Sequence, residues 1–474
     1  MCDSDDEAGI MGPNLHDDDV SIQEAYNLMK TPSTKSIAMH LVKRKQSFEF
    51  GRHQAGFVTY GNVSKGDKVL IASTNLHEHV VVDSLVEALR SKGATVDVMV
   101  LDNGPDHEMT YMDEIERIMR KEPYWKNERW YDYQEKVLKY ARENDYDMVL
   151  HGRGGPMPKS DHEGNPFPFA PKKFEAFPWA TDEVFTQGFV IYPPELLYLI
   201  NKKTWDKIYK EGRGGKVRLT DPEGTDIEFT LNEKYYDRAL DERHGFGPEP
   251  NLGHLFSHPT PPLIKEVDTM GEVKGTISHI TKPFRPITVN LDRGRISDIT
   301  GGDEYGEAWN NLVSQTENIK YPEFPDKGLF WLWEAAIGTN PKVRRPANSL
   351  MLSSGGYEIE RSRSGIIHMG FGTRWRGASE DWAGENGQLY GHLHVHLMFP
   401  TYEITTKNKG TVKVIENGHL TALDDPEVRE LAKKYGDPDY ILKEDWIPQI
   451  PGISTEGKYE DYASDPAEWI RTRG

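Results

Sequence analysis

The chain has 474 residues, more than one hydrophobic core usually organises, so two packed domains are expected. Its 57 Lys+Arg against 76 Asp+Glu leave a formal charge of −19, which argues against binding a phosphate backbone or docking on an anionic membrane. The single cysteine, Cys2, excludes an internal disulfide framework and a thiolate metal site, and it fits a reducing compartment.

Residues 1–40 open on "MCDSDDEAGIMGPNLHDDDV". This stretch is acidic where a secretory leader is basic, and it lacks an apolar core, so it reads as a flexible arm of a cytoplasmic protein. No run approaches the ~18 apolar residues of a membrane span. "DKVLIA" (67–72) is a buried-strand run, "HVVVDSLVEALRSKGA" has helical spacing ending at Gly93, and "TVDVMVLD" is the next strand. This βαβ succession, with "NDYDMVLHG" (144–152) as a further strand, predicts an α/β domain over 41–240. Two inserts interrupt it. The first lies at about 105–135, within the stretch 106–144 that is charged, aromatic and largely helical in pattern. The prolines of "GNPFPFAPKKFEAFPWA", in the insert at 155–180, exclude regular structure and predict a packed loop or lid.

After a helical stretch at 194–209, "GKVRLTDPEGTDIEFTLN" reads as two strands joined by a Pro-Glu-Gly turn. Residues 241–474 are richer in strand signals and are expected to form a β-rich, α+β metal-binding domain with a C-terminal tail. "VKGTISHI", "RPITVNLDRGRISDI", "SGIIHMGFGT" and "LYGHLHVHLMFPTYEI" are its strand candidates, and "DPEVRELAKKYG" its late helix. The acidic, aromatic residues beyond that helix are expected to wrap the surface. "GGDE" (301–304) reads as a hairpin exit. The two "GRGG" stretches lack the Gly-Lys-Ser/Thr of a phosphate loop, and no Gly-x-Ser-x-Gly elbow is present.

Four of the 17 histidines, His368, His392, His394 and His396, fall within 29 residues. On a strand His392, His394 and His396 share one face. The interleaved Leu393, Val395, Leu397 and Met398 argue that this strand meets a core. A buried imidazole must satisfy two ring nitrogens, and a metal on one with a hydrogen-bond partner on the other does so. A lone histidine such as His368 in "SGIIHMGFG" is most often a hydrogen-bonded core residue. Glu334, in the aromatic "LFWLWEAAIGTNP", needs a cation beside it if buried.

Several of these stretches together resemble the aminopeptidase T metallopeptidases. They are "KGDKVLIAS…LVEALRSKGATVDVMVLD", "GGKVRLTDPEGTDIEFTL", "NLGHLFSHP…GEVKGTI", "EAAIGTNP", "GIIHMGFG" and "LHVHLMF", in family order over roughly residues 60–405. The resemblance implies an aminopeptidase T-like fold. It also implies that the family's two glutamates, two histidines and aspartate fall on His254, Glu334, His368, His394 and His396. Two of these positions hold imidazole where the family has carboxylate. Only Glu334 then remains to balance two divalent cations, so the resemblance points to one metal held by some subset of the five. The chain is more distantly similar to the 2,5-dihydroxypyridine dioxygenases, iron enzymes related to the same peptidases.

Three functions follow as expectations. The first is a mononuclear non-heme metal dioxygenase, with Fe(II) ahead of Mn(II) or Zn(II). It would act on a small aromatic or heteroaromatic substrate, with His392 or Tyr390 as proton donor or orienter. The second is a metal-dependent aminopeptidase or amidohydrolase using a metal-activated water. The third is a binding protein that kept the fold without the chemistry. Trp331, Trp333, Trp375 and Trp382 flank the expected site and suit either a flat substrate or core packing. A small-molecule substrate and a homo-oligomer, without nucleic acid or membrane, complete the expectation.

Overall fold

The structure, a computed structural model, describes residues 22–44, 60–74, 77–101, 129–151, 173–176, 181–231, 253–256, 268–277, 286–322, 324–329, 331–344, 360–373, 378–408, 410–444, 446, 449–464, 469 and 472. Over these residues the protein is mixed α/β, with two sheets. The smaller has the order β2-β1-β3-β4, from β1 (Lys68–Thr74), β2 (Thr95–Leu101), β3 (Met148–His151) and β4 (Lys173–Ala176). All of its pairings are parallel. Strand β1 shows why a continuous apolar run is needed at its centre. Val69 and Ile71 join the cluster of helix His79–Ser91, while Leu70 and Ala72 join Val137 and Ala141 of helix Arg129–Glu143. Both faces are covered, as parallel sheets require.

Strand β4 corrects the sequence expectation for the proline-rich insert. Pro168, Pro171 and Pro178 bracket Lys173–Ala176 without falling inside it. Four residues with all their amides intact are enough to pair in parallel with β3. The rest of that insert, and most of the 105–135 insert, lies outside the described residues.

The second sheet has twelve strands: β5 (Lys216–Thr220), β6 (Asp226–Thr230), β7 (His254–Phe256), β8 (Met270–Ile277), β9 (Ile287–Asp292), β10 (Arg295–Gly301), β11 (Leu332–Gly338), β12 (Ile367–Gly372), β13 (His392–Leu397), β14 (Thr401–Thr406), β15 (Gly410–Glu416) and β16 (His419–Leu420). Its order is β16-β15-β14-β5-β6-β8-β13-β12-β11-β7, with the β9–β10 hairpin attached through β8. The β5–β6 hairpin, read from sequence with the first domain, is hydrogen-bonded into this sheet between β14 and β8. Strand β8 is the joint. Its first half pairs with β6 and β9, and its last two residues, Thr276 and Ile277, pair with His396 and Val395 of β13.

The "GGDE" stretch is a hairpin exit as read. Gly301 and Gly302 have positive φ, and helix Asp303–Thr316 starts directly after them. One hydrophobic cluster runs from Ile37 through Ile71 to Val217, Ile337 and Val395, so both sheets share a core. The tail departs from expectation. Trp446, Ile450, Tyr459 and Tyr462 do not lie on the surface but are buried against Ile366, Met398 and Phe399. Among the described residues no helix is long and apolar enough to cross a membrane.

Candidate metal centre

Register decides which side chains meet. In the β7–β11–β12–β13 part of the large sheet, His254 lies opposite Gly338, Ala336 opposite His368, and Glu334 opposite Gly370. On the next pair of strands His368 lies opposite His396, and Gly370 opposite His394. Because directly paired residues project to the same side, all these positions share one face. The residues between the functional side chains are Gly338, Ala336 and Gly370, which leave room for long side chains to cross. With no side chain at Gly370, Glu334 and His394 approach across the intervening strand. Gly338 is required by close approach: a Cβ there would stand 1.8 Å from the Arg363 carbonyl oxygen.

Glu334 is the hub. One carboxylate oxygen is 3.3 Å from His254 Nε2, and the other is 3.8 Å from His368 Nε2 and 3.7 Å from His394 Nε2. Donor atoms of His254, Glu334 and His368 all lie within 4.8 Å of one another, and His394 joins through Glu334. Glu334 and His368 are buried, at 4% and 1% exposure, while His254 and His394, at 12% and 11%, face the more open side.

Bonds of ~2.1 Å from one cation to two donors put those donors ~3–4.2 Å apart, and the three spacings around Glu334 fall in that range. The contacts to His368 and His394, at 3.8 and 3.7 Å, are also too long for hydrogen bonds. The geometry therefore fits ligands arranged around a cation better than a closed hydrogen-bonded cluster. Imidazole nitrogens and one carboxylate, with no thiolate, suit a divalent ion such as iron, manganese or zinc.

His396 sits one step behind. Its Nε2 is 2.8 Å from His368 Nδ1, and its own Nδ1 is 3.3 Å from Glu360 Oε2. Glu360 in turn faces Arg363 Nη1 at 3.3 Å, and both are 1% exposed. The guanidinium also approaches Met398 Sδ at 3.1 Å and lies 3.9 Å from the Trp446 ring centroid. Sequence reading did not single out Glu360 or Arg363. Their three-residue spacing in "EIERSRSG" was the available signal, and charged residues at that spacing are common on exposed surfaces.

Of the expected catalytic residues, Tyr390 is buried in the hydrophobic cluster at 4% exposure. His392 begins β13 opposite Gly372, and its side chain lies outside the described residues. Trp331 is a core residue, and Trp382 packs on that core edge-on to Tyr321, so for these two the packing explanation suffices. The side chains of Trp333 and Trp375 lie outside the described residues.

No protein-family model matches the chain, and no curated protein does. Solved structures similar to it include the following two. One is 2,5-dihydroxypyridine dioxygenase from Pseudomonas putida KT2440, 14% identical over 85% of this chain and 98% of that one, with a TM-score of 0.39. The other is wild-type AmpT from Thermus thermophilus, 14% identical over 82% and 98% of the two chains, with a TM-score of 0.40. These are distant likenesses of fold, and neither a site residue nor a reaction is carried over from them.

Proposed function

We infer that the protein is a mononuclear divalent-metal enzyme, with Fe(II)-dependent oxygen chemistry on a small aromatic or heteroaromatic substrate as its reaction. The observation that carries this reading is the convergence of His254, Glu334 and His368 within 4.8 Å. Two imidazoles and one carboxylate with positions left open are the donor set of non-heme iron oxygenases. Charge supports a single ion. Among the described residues Glu334 is the carboxylate that faces the cluster of nitrogens, and Glu360, a further buried carboxylate, is matched to Arg363. Two divalent cations would leave most of their charge unbalanced in a largely buried site. His254, Glu334 and His368 would hold the ion, with His394 as a fourth donor. When bound, the ion supplies redox chemistry toward dioxygen. The chain's own part is to fix the donors, keep the carboxylate oxygens facing them, and close the inner side with packed strands.

The same donor set serves zinc hydrolases, so the test must separate the two. Protein purified anaerobically is expected to carry about one iron per chain and to consume oxygen with a member of a panel of hydroxylated aromatic and heteroaromatic compounds. Two zinc or manganese ions per chain with cleavage of an aminoacyl amide, and no oxygen uptake, would replace this reading with a hydrolase.

A further inference from the structure

We propose that Glu360 and His396 are positioning residues that fix the tautomer of His368, so that its bare Nε2 faces Glu334. The proposal rests on the metal reading above only for what that bare nitrogen is for. The argument runs along one line of atoms. Glu360 is buried beside Arg363 Nη1 at 3.3 Å, and an ionised carboxylate can only accept. The His396 nitrogen facing it at 3.3 Å, Nδ1, must therefore carry the proton. In a neutral ring the other nitrogen, Nε2, is then an acceptor. It lies 2.8 Å from His368 Nδ1, so His368 donates from Nδ1 and its Nε2 is left as a lone pair. That lone pair is the atom 3.8 Å from Glu334 Oε2. A neutral imidazole binds a cation through an unprotonated nitrogen, so the acceptor at Glu360 determines, two rings away, whether His368 can serve as a ligand.

The burial makes this a one-way arrangement. His396, Glu360 and Arg363 are each about 1% exposed, so water cannot substitute as a partner of either polarity. Strand register holds the line in place: His396 is directly opposite His368, and the end of β8 pairs with it on its other side. A Cβ on Gly275 would stand 2.6 Å from the His396 carbonyl oxygen, so β8 lies close against that residue. His396 occupies a site where it can support a ligand, while His394, opposite the side-chain-free Gly370, reaches Glu334 itself.

Two readouts test this on the full chain. In metal-free protein, the imidazole 15N spectrum, assigned by difference with His368→Gln, should show His368 protonated on Nδ1, and Glu360→Gln should shift it toward the Nε2-protonated form. A wild-type spectrum with His368 protonated on Nε2 overturns the proposal, whether or not the chain binds metal. In a Co2+ titration, His396→Phe, which removes the acceptor, should weaken binding ~10–100-fold, the usual effect of losing an outer partner. His396→Gln, whose Oε1 can accept from His368 Nδ1, should recover most of that loss. Because Glu360→Gln leaves Arg363 buried without its carboxylate, Glu360→Gln with Arg363→Met serves as the variant free of that charge, and the same weakening is expected. Wild-type affinity in both His396→Phe and the double variant overturns the proposal. So does loss of one nitrogen donor from the Co2+ absorption spectrum in His396→Phe that His396→Gln fails to restore, since His396 would then be a ligand. If the wild-type chain binds no metal while His368 is protonated on Nδ1, the functional reading fails and the tautomer assignment stands.

Discussion

Glu334 concentrates the chemistry of the site in one side chain, because three imidazole nitrogens at 3.3, 3.7 and 3.8 Å approach its two oxygens. Glu334→Gln keeps the shape and removes the charge. It should reduce Co2+ affinity by more than the ~10–100-fold expected for an outer partner, while thermal unfolding of the metal-free chain stays close to wild type. Equal Co2+ affinity in wild type and variant would show that Glu334 is not a ligand. Gly338 gives the second residue-scale prediction. Its missing side chain admits the Arg363 backbone, which a Cβ would meet at 1.8 Å. Gly338→Ala must push apart β11 and the segment that carries Arg363, at a cost of about 1–3 kcal/mol or more. Denaturant unfolding should show the loss, and an unchanged midpoint would mean that the strand accommodates the methyl group. These residues also show what the sequence could and could not reveal. The alternation of His392, His394 and His396 was legible as one face of a strand, but the different depths of His394 and His396 were not. His394 reaches Glu334 because its partner across β12 is Gly370, and His396 meets His368 because its partner is His368. That distinction is a matter of register between strands far apart in the chain, which periodicity within one strand does not encode.

At the scale of elements, most strands follow from local pattern, because apolar alternation and turn residues act over a few positions. The βαβ unit at 68–101 and the β5–β6 and β9–β10 hairpins formed where the pattern indicated, whereas "LYGHLHVHLMFPTYEI", read as one strand candidate, divides around Pro400 into β13 and β14. Glu360 and Arg363 were illegible for the opposite reason. Nothing local separates them from the neighbouring Arg361, which is partly exposed, and only tertiary packing buries the pair. A second carboxylate–histidine arrangement stands on β16, at the far edge of the large sheet from β7. There His419 Nδ1 is 2.7 Å from Glu444 Oε2, and its Nε2 is 2.8 Å from Asp424 Oδ2, beside a cleft of about 310 Å³. The hydrogen bond to Glu444, with Asp424 adding to it, raises the imidazole to about 9 from an ordinary 6.5. A raised value in the folded state means the contribution is fully present below pH 6.5 and is lost as the pH climbs through about 9. With His419 39% exposed, solvent screening limits that contribution to about 1 kcal/mol. The stability difference between wild type and His419→Gln should therefore be largest near pH 6 and vanish by about pH 10. A difference that persists undiminished at high pH would assign the effect to packing instead of charge.

Over the whole molecule, the site is supported from behind by the C-terminal tail. Phe399, two residues past β13, is ringed by Trp446, Tyr459 and Tyr462 at centroid distances of 5.4, 5.7 and 5.6 Å. Trp446 also donates its indole N–H to Ser364 Oγ at 3.3 Å and stacks on the Arg363 guanidinium. The tail thus covers the cation that faces Glu360, while the segment after β11 ties the strands together. Thr339 N donates to Gly253 O at 2.7 Å, Asn340 N donates to Ser362 O at 2.9 Å, and the Thr339 hydroxyl donates to Asn201 of helix Pro194–Asp206. If the tail only fills space, Trp446→Ala should cost the usual ~3–5 kcal/mol of a large buried ring and leave Co2+ affinity of the folded chain unchanged. If it holds Arg363 against Glu360, the same substitution should also weaken Co2+ binding. A double-mutant cycle with Glu360→Gln separates these outcomes: the effect of Trp446→Ala on affinity should shrink toward zero once Glu360 no longer carries the charge that Arg363 serves. Additive effects on affinity would mean that the tail acts on the site by another route, and a loss of stability alone would make it a structural cover. The expected result is coupling, because the ring, the guanidinium, the carboxylate and the two imidazoles form one buried line of contacts from residue 446 to Glu334.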